Sequence, residues 1–179
     1  MKKIYCIGEI HKGIPEIQLE IAGLKKEYSP LYNLLIEKIE KSRKERLDIT
    51  CKTITEKGIK RIFLEEKGRD LETVAAELNF PIQDIYCLEN YNDEEFRKFG
   101  KQVLEIFKLG KKEELQKILD ILNAKREKHW IEVINENYIN PSLVICGTAH
   151  LDKNGNFPKL LRESDYDVEI VYLEKNLFD

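Results

Sequence analysis

Five short stretches of this chain are apolar almost without interruption, and that continuity narrows the folds open to it. They are "KIYCIG" (3–8), "RIFLEE" (61–66), "DIYCLE" (84–89), "SLVICG" (142–147) and "DVEIVYLE" (167–174). A strand with one wet face alternates polar and apolar residues, whereas strands covered on both faces, as in parallel sheets, do not. Segments with helical spacing lie between the runs. Ser29-Pro30 reads as an N-cap and first helical position, opening a helix with Leu31, Leu34, Leu35 and Ile39 on one face. Asp70 is placed to cap "LETVAAEL", and Asn92 with Glu95 makes a capping box before Phe96, Phe99, Val103 and Phe107. Beyond Gly110 a helix over about 111–138 carries Leu115, Leu119, Leu122, Trp130 and Val133, and Pro158 opens a short last helix. The alternation predicts an α/β fold: a largely parallel central sheet of about five strands with helices on both faces, in a single α/β domain over 1–179. Two stretches fit less well. Residues 13–28 read either as a helix or as an extended hairpin, and the Thr and Ile content of 44–58 leaves the continuation of its helix open.

The chain's 30 basic and 33 acidic residues leave a net charge of −3, which gives no electrostatic reason to expect nucleic acid or an anionic membrane as partner. No apolar run approaches the roughly 18 to 20 residues that span a bilayer. The "IYCIG" near the N-terminus is shorter than the apolar core of about 7 to 15 residues in a signal peptide, so a cytoplasmic protein is expected. Cys6, Cys51, Cys87 and Cys146 never form a C-x-x-C pair and read as buried, reduced thiols. The charge runs "KSRKER" and "KLGKKEE" read as solvated helix faces.

Two of the three histidines follow a glycine by three residues, each at the end of a strand-like run: Gly8 and His11 in "GEIH", Gly147 and His150 in "GTAH". Ligands bind open α/β sheets outside the carboxyl ends of the strands. A glycine there permits a sharp turn and close backbone approach, which makes Gly8 and Gly147 candidate structural turns and His11 and His150 candidate site residues. Glu9 precedes His11 by two residues, so both side chains can point the same way from an extended loop. Glu65 and Glu66 end another strand, and Glu65, at the limit of the apolar run, is the stronger candidate. Arg126 shares a helix face with Leu119, Leu122, Trp130 and Val133, where a guanidinium needs a carboxylate, a phosphate or a substrate oxyanion as partner. His129 has no glycine turn beside it and reads as an ordinary surface or packing residue. There is no G-x-S-x-G elbow, P-loop, G-x-G-x-x-G or H-E-x-x-H motif.

In chain order, "GEIH", "FLEE", "REKHW" and "GTAHL" resemble the superfamily that joins erythromycin esterases, ChaN-like haem-uptake proteins and the TraB/PrgY and Tiki proteins. The likeness runs from Ile4 to about Leu173 as short motifs. The "GE-x-H" form is closest to the esterase and ChaN branches, and "GTAH" with the residues after it is closest to the TraB end. The resemblance implies that Glu9, His11, Glu65, Arg126 and His150 form an active-site set. In one departure, Glu127 follows Arg126 where the family usually has Asn or Asp, with Trp130 in its aromatic position. The chain lacks room for the helical insert of the macrolide esterases, so a macrolide substrate is not implied.

Two hydrolytic chemistries follow for a small-molecule or peptide substrate carrying an ester or amide bond. In the first, His11 is a general base oriented by Glu9, and Arg126 or a protonated His150 stabilises the oxyanion. In the second, His11 and His150 bind a divalent metal (zinc, manganese or cobalt) together with Glu9 or Glu65. The alternative is a protein that uses the same crevice to bind or sequester haem or a peptide without turnover.

Overall fold

The computed structural model describes residues 1–10, 30–65, 70–89, 102–103, 105–106, 109–151 and 155–174. His11, Glu66, the 13–28 segment and the Asn92–Glu95 capping box lie outside the described residues.

All five expected runs are strands: β1 Lys2–Glu9, β2 Arg61–Leu64, β3 Ile85–Cys87, β4 Ser142–Gly147 and β5 Tyr166–Leu173. They form one sheet in the order β3-β2-β4-β1-β5, with every neighbouring pair parallel. The helices are α1 Pro30–Lys57, α2 Leu71–Leu78, α3 Lys112–Asn137, α4 Thr148–Leu151 and α5 Phe157–Glu163. No helix among the described residues is long and apolar enough to cross a membrane.

Local chemistry explains the helix limits. Pro30 opens α1, and the Thr residues that left its continuation open are accommodated by turning their hydroxyls inward. Thr50, Thr53 and Thr55 each donate to the carbonyl four residues back, at 2.8, 2.8 and 3.0 Å. Gly58, at φ +61°, ends α1 in the left-handed conformation that glycine adopts without a Cβ penalty. Asp70 caps α2 by accepting from the Glu72 amide at 3.0 Å.

The sheet has a core on each side. Tyr5, Ile7, Ile62, Leu64, Leu143 and Ile145 pack against α1 and α2, while Ile4, Cys6, Phe63, Val144 and Cys146 pack against Trp130 and Ile134 of α3 and Phe157 and Leu161 of α5. Strand pleating alternates these sets. Cys6 and Cys146 are free and fully buried, and burial pushes the Cys6 thiol up to about 12, so both behave as apolar filling. Leu31 and Leu34, expected on the packed face of α1, are instead exposed; Ile39, Thr50 and Thr53 are the buried residues of that helix, and Leu47, Ile49, Cys51 and Ile54 pack against the core.

The helices that follow neighbouring strands β1 and β4 lie on opposite sides of the sheet, α1 after β1 and α4 and α5 after β4. A crevice opens at the carboxyl ends of strands that diverge in this way.

Candidate functional site at the carboxyl rim of the sheet

The two glycine–histidine segments leave adjacent strands at one level, because Glu9 stands opposite Gly147 in the β1–β4 register. Gly8 lies within β1 rather than in a turn, and its value is clearance. A Cβ there would come within 2.8 Å of Leu173 Cδ2 and 3.1 Å of the Thr148 Cα. The missing side chain lets the turn that carries His150 lie directly against β1. Gly155 holds that turn from its other end, where a Cβ would fall 2.2 Å from the His150 carbonyl oxygen.

Pleating then divides the rim. Glu65 follows Leu64 and takes the face opposite to it, the α3 side. Its carboxylate accepts from Nη2 of Arg126 at 2.5 Å and, through its other oxygen, from the Gly147 amide. Nε2 of His150 lies 3.5 Å from Glu65 Oε1, and Nδ1 lies 2.8 Å from Glu127 Oε1. The imidazole is thus clasped between two buried carboxylates. Its edge meets the Trp130 ring at 4.7 Å between centroids, and the Arg126 guanidinium sits over that same ring at 5.2 Å. Arg126 also donates through Nε to Glu89 at 2.6 Å and through Nη1 to Asn123 at 3.2 Å. Burial acts to lower the His150 pKa, but the hydrogen bonds to Glu127 and Glu65 outweigh it and raise it from 6.5 to about 9. His150 is therefore an imidazolium at neutral pH.

Glu9 lies on the other face. It is ion-paired with Arg46 of α1, and the pair borders a cavity of about 20 Å³ lined also by Leu47, Thr50, Leu64 and Val74. That volume has room for one water. Glu174, directly after β5, is buried on the same side and accepts from Ser42 Oγ at 3.0 Å and from the Ile10 amide at 2.8 Å. Ser42 and Arg46 are four residues apart, hence on one face of α1.

Of the residues expected from sequence, the structure brings together Glu65, Arg126 and His150 beside Gly147. Glu9 stands at the same rim with its carboxylate held from the α1 side. His129 lies apart from the cluster, with Nδ1 3.7 Å from Glu132. Sequence reasoning missed Glu127, Glu89, Arg46, Glu174 and Gly155. The position after Arg126 was noticed only as a departure from the family pattern, yet Glu127 is the group that orients the imidazole. Arg46 and Ser42 fall inside "KSRKER", the run read as solvated.

The divalent metal expected from the sequence would take His11 and His150 with Glu9 or Glu65, and His11 lies outside the described residues. Glu65 Oε1 already accepts from the Arg126 guanidinium, which puts a fixed positive charge beside the oxygen a cation would take. Among the described residues, no group of three or more His, Cys, Asp or Glu is arranged to hold a metal ion. Of the expected donors, Glu65 is held by Arg126 and Glu9 by Arg46.

No family model, curated protein or solved structure matches this chain.

Proposed function

We propose that this protein hydrolyses an ester or amide bond at the carboxyl rim of the sheet, with His150 as the proton donor. The observation that carries the reading is the clasped imidazole: two buried carboxylates keep His150 charged and fix its ring beside Arg126. A histidine of raised pKa acts as an acid at neutral pH rather than as a base. In the proposed reaction, water attacks the substrate carbonyl while Arg126 and the imidazolium face the negative charge that develops on oxygen. The His150 proton then passes to the leaving oxygen or nitrogen, and solvent returns it. His11, outside the described residues, is the general base in this reading, as the likeness to the erythromycin esterase and TraB-like proteins implies. Trp130 supports both cationic groups and limits water on their buried side.

The test is an assay of purified protein against a panel of model esters and short peptides, with bound metal and haem absorbance measured on the same sample. Turnover by the wild type that falls on the order of 100-fold or more in His150→Gln is the expected result. Wild-type rates in His150→Gln would remove the proton-donor role. Stoichiometric metal lost in that variant would replace the role with a metal-ligand one, and haem absorbance without turnover would favour a sequestering protein.

A further inference from the structure

Glu174 is buried at the end of β5, away from the Glu65–His150 cluster, and the chemistry proposed above does not use it. Its bonds are nevertheless distributed in a telling way. The side chain accepts from the Ile10 amide through Oε2 at 2.8 Å and from the Ser42 hydroxyl through Oε1 at 3.0 Å. The main chain donates its N–H to the Gly8 carbonyl at 2.9 Å and accepts from the Thr148 hydroxyl at 3.3 Å. One residue therefore binds the exit of β1 on both sides of Glu9, the first residue of the His150 turn, and α1. A Cβ at Gly8 would fall 3.0 Å from Thr148 Oγ1, so the two chain segments lie close at this junction. A buried carboxylate needs donors, and this one draws them from two segments far apart in sequence, Ile10 after β1 and Ser42 of α1, while its own main chain ties Gly8 and Thr148.

We propose that Glu174 is a positioning residue: its carboxylate holds the segment leaving β1 to α1, which keeps its own main chain in place against Gly8 and Thr148 and so sets where the His150 imidazole stands at the rim. For its catalytic consequence this deepens the hydrolase reading and rests on it. Ile10, the residue this carboxylate holds, directly precedes His11 in sequence.

The experiment compares Glu174→Leu and Glu174→Gln with the wild type in three measurements: exchange of the Ile10 amide, the imidazole NMR signals of His150, and kcat and KM on the best substrate of the panel. Gln retains an acceptor for Ile10 and a polar partner for Ser42, whereas Leu retains neither. In Glu174→Leu, Ile10 exchange accelerates, the His150 signals move, and kcat falls by up to roughly 100-fold with KM changed much less; Glu174→Gln recovers most of each. Should Glu174→Leu fail to fold, Ser42→Ala removes one of the two holds and shows the same changes at smaller size. Wild-type Ile10 exchange and His150 signals in folded Glu174→Leu would overturn the proposal. Gln failing as completely as Leu would do so too, since charge rather than placement would then be at stake. If the wild type hydrolyses nothing, the function reading fails, and the exchange and NMR measurements still decide whether Glu174 positions the turn.

Discussion

On the α1 side of the rim, Glu9 meets Arg46 and Glu174 meets Ser42 and a backbone amide; on the α3 side, Glu65, Glu89 and Glu127 share Arg126 and His150. Both sides bury carboxylates at the carboxyl rim of one sheet, Glu9 and Glu174 at the ends of β1 and β5 and Glu65 at the end of β2, but their partners differ in kind. Guanidinium, hydroxyl and amide donors keep their protons across the whole physiological range. An imidazole does not. The donors on the α1 side hold the chain in place, whereas the α3 side holds an imidazole between two carboxylates. The same local feature, a strand-end glutamate, meets guanidinium, hydroxyl and amide donors on one face and an imidazole as well on the other.

Matched arginine replacements bear hardest on this contrast. Arg126→Leu leaves buried Glu65 without its guanidinium, and Arg46→Leu does the same to Glu9; each should lower unfolding free energy by about 3 kcal/mol in urea titrations. Only Arg126→Leu should also abolish turnover in the folded fraction, and equal loss in Arg46→Leu would erase the distinction between the faces.

Acid–base behaviour sharpens the contrast further. His150 binds its proton more tightly folded, at about 9, than unfolded, at 6.5. Its contribution is complete below pH 6.5 and disappears as pH rises through 9, a loss on the order of 3 kcal/mol. Unfolding curves collected across that window should show the decline in wild type and a flatter profile in His150→Gln; identical slopes would mean that the α3 side titrates no more than the α1 side.

The smallest effect is expected from Glu127→Gln, which keeps an acceptor for Nδ1 but removes a charge. It should cost about 1 to 2 kcal/mol and move the decline in stability to lower pH, read from the same unfolding series.

Much of the architecture could be read directly from residue order. Runs such as "SLVICG" have no polar alternation because both faces of β4 are covered, and Gly58 and Asp70 mark helix ends by backbone chemistry that local sequence displays. The rim was less legible, because polar residues occupy stripe positions where apolar ones are expected. On α1 the inward stripe runs Ile39, Ser42, Arg46, Thr50, Thr53, a helical spacing hidden inside a charged run while Leu31 and Leu34 drew attention elsewhere. On α3 the expected stripe of Leu115, Leu119, Leu122, Trp130 and Val133 includes one fully buried residue, Trp130, and the other buried residues, Glu127 and Ile134, fall beside the stripe rather than on it. Glu127 was overlooked for that reason. Glu65 and Arg126 were found because each interrupts an apolar pattern at a place where only a partner of opposite charge makes burial tolerable.

The strand order also has a consequence for how the chain acquires its structure. β1 is made first, yet its neighbours are β4 and β5, so the first strand waits for residues 142–173 before any of its edges is occupied. Contacts so distant along the chain form slowly. During synthesis "KIYCIG" is therefore an adhesive segment in need of shielding, and truncation ahead of β4 would leave it permanently so.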